Sequence, residues 1–172
     1  MNGEMKTKTT GKMSLMTETR RLLENNEEKI TLIEYSIKTF GWFYFGKKEF
    51  ECIGLHEESL DFYKKNGQLP HPCDKCYKAL IFWRGNLREN LTNFFKMIGS
   101  FEVNYHGKLN EGVVVFYFRD KDKMLKFLEY LQKKMQEFNV KGFTQWRRAC
   151  KEYQDLKPEL WKNAKEFISS AI

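Results

Sequence analysis

Apolar residues recur at intervals of three or four in several stretches of the chain, which is the periodicity of an amphipathic helix. In the first stretch Ile30, Ile33 and Ile37 fall on one stripe, and Gly41 follows as a stop signal. Asn86 has the spacing of a helix cap relative to the acidic residue three positions later. Periodicity and apolar runs together predict helices over residues 17–40, 57–66, 77–83, 86–98, 120–138, 144–155 and 158–170.

Other stretches have the pattern of strands. A first hairpin is predicted at 42–54, where an aromatic run is followed by a glycine turn and an alternating segment. A second hairpin combines the alternating segment 101–105, a turn, and residues 113–118, which are apolar on both parities. Because 113–118 has no polar side, we expect it to be covered on both faces of a sheet. A short strand at 140–143 is a further candidate.

These elements predict an α+β fold, in which a mostly antiparallel sheet built from two hairpins packs against several helices. Residues 1–16 are polar and predict a disordered tail, and residues 17–172 predict a single domain. The alternative is a division into two halves near 67–72, where a glycine and two prolines interrupt the pattern.

Composition places the chain among water-soluble proteins. Hydrophobic residues make up 41% of the 172 residues, enough to form a core without a metal or disulfides. No apolar run reaches the roughly 18 residues of a membrane span. The basic N-terminal segment has no apolar stretch behind it, so no signal peptide is predicted and we expect a cytoplasmic protein with reduced thiols.

The most specific chemical pattern is the pair Cys73 and Cys76. Two cysteines separated by two residues can place both sulfur atoms on one metal ion, and zinc takes four Cys or His ligands in a tetrahedron. Cys52, Cys150 and His71 are the candidates for the remaining positions. This pattern predicts a structural zinc site, with iron or an iron–sulfur cluster as an alternative occupant.

The same pair supports a redox interpretation. If residues 74–83 are helical, Cys73 lies at a helix N-terminus, where the helix dipole and Lys75 favour its thiolate. However, the segment before it is a proline-containing loop, whereas redox pairs of this spacing follow a buried strand. A third interpretation leaves Cys52 and Cys150 as small core residues and the CxxC pair as incidental.

The formal charge of +7 permits an acidic partner such as nucleic acid. Cations flank Trp146 and Tyr44, and an aromatic side chain beside cations can stack a base while the cations bind phosphate. The alternative is that Trp146 packs in the core and the neighbouring arginines are solvated. The candidate nucleic-acid contacts are Arg147, Arg148, Lys151, Lys47 and Lys48.

No catalytic motif is present, and residues 112–116 lack the basic, aromatic pattern of RNA-recognition sheets. The sequence therefore predicts a cytoplasmic, zinc-containing binding or regulatory module rather than an enzyme, with nucleic acid or another protein as its partner. The alternative function is that of a thiol redox protein using Cys73 and Cys76.

One segment invites a family comparison. Residues 72–83, PCDKCYKALIFW, resemble a segment of uncharacterised archaeal proteins of similar size. The resemblance covers about a dozen residues and implies no activity.

Overall fold

The computed structural model describes residues 26–47, 57–156 and 166–168, and these residues form five α-helices and six β-strands. The helices are α1 (Asn26–Phe40), α2 (Glu57–Asn66), α3 (Leu87–Gly99), α4 (Lys121–Glu137) and α5 (Lys151–Leu156). The strands are β1 (Phe43–Phe45), β2 (Tyr77–Trp83), β3 (Gly107–Leu109), β4 (Val113–Phe118), β5 (Gly142–Arg148) and β6 (Glu166–Ile168).

All six strands belong to one antiparallel sheet in the order β1-β3-β4-β2-β5-β6. The long strand β2 is central, and its residue Ala79 lies between Phe116 of β4 and Trp146 of β5. Elements β2 to β5, with α3 and α4 between them, form a β-α-β-β-α-β unit. The α+β class and the antiparallel sheet packed against helices are thus confirmed.

The core lies between one face of the sheet and the helices. Successive strand residues point to opposite faces, so Ala79 and Ile81 of β2 contact the core while Lys78, Leu80 and Phe82 point away from it. The principal core also contains apolar side chains of the helices: Ile30, Ile33, Ile37, Leu91, Phe94, Met97, Met124, Phe127, Leu128, Leu131 and Met135. These helices therefore cover the face that contains Ala79 and Ile81, and they do not pack on the opposite face.

The Asn86 cap and the Gly41 stop predicted from the sequence are both confirmed. The side chain of Asn86 accepts a hydrogen bond of 3.0 Å from the backbone N–H of Glu89, which satisfies a donor at the start of α3. Asp120 caps α4 in the same way through the N–H of Lys123, at 2.8 Å. Gly41 follows α1 with φ +77°, a backbone conformation that favours glycine.

Two predicted helices are wrong in the central part of the sheet. Residues 77–83 form strand β2, and residues 142–148 form strand β5, which contains the start of the helix predicted at 144–155. Strand β2 has apolar residues on both faces, with Ala79, Leu80 and Ile81 all at most 4% exposed. A strand covered on both faces loses its alternating pattern and cannot be distinguished by periodicity from a buried helix.

The two predicted hairpins also differ from the structure. Residues 101–105 are not a strand, and the partner of β4 is instead β3 at Gly107–Leu109. Strand β1 pairs with β3, while residues 48–56, which include the second half of the predicted first hairpin, lie outside the described residues. Residues 166–168 form β6, so this part of the predicted helix 158–170 is wrong. The predicted tail 1–16 also lies outside the described residues.

No helix in the described part of the chain combines the length and the apolar composition that crossing a membrane requires.

Candidate functional site

The sheet face that points away from α3 and α4 carries aromatic and basic side chains. Strand pairing arranges its residues in rows: Tyr117, Lys78 and Arg147 lie side by side, as do Val113, Phe82 and Phe143. Between them runs a row of Lys108, Val115, Leu80 and Gln145. Arg84, which follows β2, places its guanidinium group over the ring of Phe143 on this face. The aromatic and basic members of the rows, together with Arg84, are called the basic aromatic face here: Lys78, Phe82, Arg84, Lys108, Tyr117, Phe143 and Arg147.

Along one side of this face runs a ladder of rings and cations. The rings of Phe82 and Phe143 stack across strands β2 and β5, with centroids 4.9 Å apart and planes 16° apart. The guanidinium carbon of Arg147 lies 5.8 Å from the Phe82 centroid, and that of Arg84 lies 5.2 Å from the Phe143 centroid. Such contacts attract each cation to the ring surface, so this ladder holds two arginines over two flat apolar surfaces.

Arg147 lies along the sheet rather than projecting from it. It starts two rows from Phe82, so its side chain crosses the position of Gln145, and its Nη2 donates to Gln145 Oε1 at 3.4 Å. Gln145 Nε2 and Arg147 Nε are buried and have no hydrogen-bond partner within the described part of the chain. Burial also lowers the pKa of Arg147, with Asp155 opposing this effect. Two donors without acceptors on a cationic face favour a ligand that supplies acceptor oxygens or nitrogens.

The remaining cations also lie beside rings. The Lys78 ammonium is 5.6 Å from the centroid of Tyr117 and donates to Cys150 Sγ at 3.4 Å. The Lys108 ammonium lies 3.9 Å from the centroid of Trp42, which precedes β1 on the same side of the sheet. The three rows contain no acidic residue among the residues that the structure describes. The described rows therefore carry positive charge, and Asp155 acts on Arg147 from outside them.

The structure separates the predicted nucleic-acid contacts. Arg147 lies on the basic aromatic face, whereas Arg148 donates to the backbone oxygen of Asp74 at 2.8 and 3.2 Å and thereby holds the Cys73 turn. Lys151 is exposed on α5, and Lys47 is exposed just after β1. Lys48 lies outside the described residues.

Trp146 points to the opposite side of the sheet from Arg147. It is 3% exposed and belongs to the principal core. The core interpretation of this tryptophan is therefore the correct one, and the stacking surface comes from other residues.

Three cysteines lie near the start of β2 and the end of β5. Cys73 lies in a 3₁₀ turn, Cys76 immediately precedes β2, and Cys150 follows β5. A hydrogen bond of 2.7 Å from the N–H of Ala149 to the carbonyl of Cys76 joins the two chain segments. The side chain of Cys150 packs against the small core cluster that contains Cys73.

Tyr153 is the principal neighbour of the Cys73 thiol. Its hydroxyl donates to Cys73 Sγ at 3.6 Å, and its ring packs edge-to-face on Tyr63 with centroids 5.2 Å apart. Burial, followed by the hydrogen bond to Cys73, raises the pKa of Tyr153 strongly. This phenol is therefore a neutral donor. It donates its hydrogen bond to a buried thiol, because Cys73 is 4% exposed.

The other predicted metal ligands are less well placed. His71 is exposed, with Nδ1 3.1 Å from Asp74 Oδ1, and Cys52 lies outside the described residues. Across residues 26–47, 57–156 and 166–168, no three His, Cys, Asp or Glu side chains are grouped to hold a metal ion. The redox interpretation requires Cys73 at the N-terminus of a helix. The structure instead places Cys73 in a turn of three residues that leads into strand β2.

Sequence reasoning missed Lys78, Phe82 and Arg84 because β2 was assigned to a helix. It missed Phe143 because the predicted strand 140–143 ended there and the rest of β5 was assigned to a helix. The available signal was length: the apolar run has seven residues, ends near Gly85 and is rich in aromatic side chains, features that favour a strand. No protein-family model, curated protein or solved structure matches this chain.

Proposed function

We propose that the chain binds single-stranded nucleic acid on the basic aromatic face. The observation that carries this proposal is the ladder of Arg147, Phe82, Phe143 and Arg84, on a face whose described strand rows contain no carboxylate. Flat rings provide stacking surfaces for bases, and adjacent cations neutralise phosphates. The net charge of +7 adds a general attraction for polyanions.

The contacts suggest how a strand binds. Two consecutive bases stack on Phe82 and Phe143, and the arginines that now lie over these rings move to the adjacent phosphates. When Arg147 leaves its position across Gln145, the amide of Gln145 gains access to an acceptor on a base. Single strands fit better than duplexes because the base surfaces of a duplex are already stacked.

The test is a binding titration of the full chain with a fluorescent single-stranded oligonucleotide. A double variant, Phe82→Leu with Phe143→Leu, keeps apolar side chains in both positions but removes the stacking surface. Because base–aromatic stacking contributes about 1–3 kcal/mol per base, we expect at least a tenfold loss of affinity.

A matched charge comparison isolates the face. Arg147→Gln removes a cation from the ladder, whereas Lys126→Gln removes one from the exposed side of α4. We expect the first change to weaken binding severalfold and the second to have little effect. Equal effects of the two variants, or absence of binding by the unmodified chain, would exclude this function.

The zinc site stays a prediction beside this function. The convergence of Cys150 on the Cys73 cluster supports it, and Cys52 is the candidate for a further ligand. In protein purified without chelators, we expect about one zinc per chain and its loss in a Cys73→Ser variant. A Ser36→Ala variant, altered on α1, serves as control. A metal-free protein would eliminate the zinc site without affecting the proposal for the sheet face.

A further inference from the structure

We propose that the cavity beside Phe82 binds one guanine base of the strand, an inference that rests on the proposed function. The cavity has a volume of about 520 Å³ and lies between the C-terminal end of α1 and the turn that joins β3 to β4. Its volume is within the range of small-molecule pockets, roughly 300–1,000 Å³. It is therefore large enough for a nucleotide.

The cavity is continuous with the basic aromatic face. Phe82 and Val113 belong to the last row of that face and also line the cavity, together with Ile37. These side chains provide an apolar floor on which a base can stack. If a single strand of nucleic acid stacks one base on Phe82, its next base therefore reaches the cavity.

The rim of the cavity is polar and carries both signs of charge. Lys38 is placed to meet a phosphate, and Glu111 is the acidic residue among the lining side chains. A carboxylate has two acceptor oxygens and no donor when ionised. It forms its strongest pair with two adjacent donors. Of the four common bases, only guanine presents adjacent N–H donors, N1–H and N2–H₂, on one edge, so Glu111 favours guanine.

The turn that presents Glu111 is held in one conformation. Asn110 Oδ1 accepts hydrogen bonds from the N–H groups of Gly112 and Val113, both at 2.9 Å. The backbone oxygen of Asn110 accepts from Trp83 Nε1 at 2.8 Å, which fixes the turn to β2. The side-chain oxygen of Asn110 is therefore already engaged. The Glu111 carboxylate is left as the acceptor that this turn offers to a base.

The test uses four fluorescent oligonucleotides: oligo-uridine, and the same strand with one central guanine, adenine or cytosine. With the unmodified chain, we expect the guanine strand to bind about tenfold more tightly than the other three, as for one good bidentate contact. In Glu111→Gln we expect this preference to vanish while the affinity for oligo-uridine is retained. Glu129→Gln, on the exposed side of α4, is the matched control and should keep the preference.

The outcomes separate this inference from the proposed function. Equal binding of all four strands, or a guanine preference that survives Glu111→Gln, would overturn the guanine pocket while leaving strand binding in place. Failure of every strand to bind would overturn both. Retention of oligo-uridine affinity by Glu111→Gln shows that the variant is folded, so a lost preference is then due to the carboxylate.

Discussion

At the scale of single residues, Gly107 shows how closely the edge of the sheet is packed. A Cβ atom at this position would lie 2.5 Å from the carbonyl oxygen of Val115 and closer still to the ring of Phe45. The Val115 oxygen is a backbone atom of the neighbouring strand and cannot rotate away. The absence of a side chain at position 107 therefore allows β1 and β4 to flank β3, and with them Tyr44 and Lys108 to share one side of the sheet.

We expect Gly107→Ala to lower the free energy of unfolding by about 2 kcal/mol, as overpacking of a core does. Gly99→Ala is the control, because a Cβ atom there has no neighbour within 4 Å. Since alanine is a better helix former than glycine, the control should leave stability unchanged or raise it by up to about 1 kcal/mol. Urea unfolding measures both variants, and equal effects would show that position 107 is not crowded.

A second residue-scale prediction concerns Tyr153. Its folded-state pKa is raised by burial and by the hydrogen bond to Cys73. In the unfolded chain the phenol has a pKa of about 10. Its contribution to the free energy of unfolding is therefore complete below that pH and is lost as the pH rises towards the folded-state pKa. We expect the buried phenol to account for a loss of about 1 kcal/mol between roughly pH 9 and pH 11.

Urea unfolding at several alkaline pH values tests this expectation. Tyr153→Phe should reduce the decline, because phenylalanine has no proton to lose. Tyr44→Phe is the control, since Tyr44 is 62% exposed. An unchanged decline in Tyr153→Phe would show that other groups cause the alkaline loss of stability.

At the scale of elements, one side chain of α3 joins the two strands that carry the ring ladder. Asn90 is 1% exposed, donates from Nδ2 to the carbonyl of Arg84 at 2.6 Å and accepts from the N–H of Lys141 at 2.7 Å. Arg84 follows β2 and Lys141 precedes β5, so these bonds fix the ends of both strands to the helix. The stacking of Phe82 on Phe143 depends on this alignment.

We expect Asn90→Ala to lower the free energy of unfolding by about 3 kcal/mol, because a buried side chain is truncated and two partly buried backbone groups lose their partners. Asn93→Ala is the control on the same helix, since its exposed amide makes one hydrogen bond, to the carbonyl of Asn139. That change should cost less than about 1 kcal/mol. Thermal or urea unfolding measures the free energy of unfolding of both variants. A loss in Asn90→Ala no larger than that in Asn93→Ala would show that the strand ends are held by the sheet alone.

At the scale of the whole molecule, the two faces of the sheet differ in composition. One face forms the core with α3 and α4, and the other collects Lys78, Arg84, Lys108 and Arg147. Acidic residues are dispersed through the sequence, and strand pairing excludes them from the described rows of this face. A moderate net charge thereby produces a local field suited to a polyanion.

The proposed binding of nucleic acid predicts a defined dependence on salt. If the four cations each neutralise one phosphate, the logarithm of the binding constant should fall with the logarithm of salt concentration at a slope of about −2.8. Arg147→Gln should reduce the slope by about 0.7, whereas the α4 variant Lys126→Gln should not change it. Titrations at several salt concentrations provide the slopes, and a flat dependence would show that phosphates are not the ligands.

The sequence predicted the helical layer better than the sheet. Helix α4 has one apolar stripe and a capping aspartate, so its periodicity and its start were both recognisable. Strand β2 is buried on both faces, and burial of Leu80 beneath its neighbours removed the alternation that identifies a strand. The basic aromatic face draws on β2 and β5, so misassignment of these two elements concealed it. Arg147 was recognised because basic residues cluster around it in the sequence, and this clustering is visible whether the segment is a helix or a strand.

The contact between Lys108 and Trp42 has a practical consequence. An indole emits according to its electrostatic surroundings, and here an ammonium group lies 3.9 Å from the ring centroid. A phosphate that attracts Lys108 would change those surroundings and with them the fluorescence of Trp42. Trp42 is thereby an intrinsic fluorescent reporter for the basic aromatic face. Its emission provides a test of phosphate binding to this face that needs no added label.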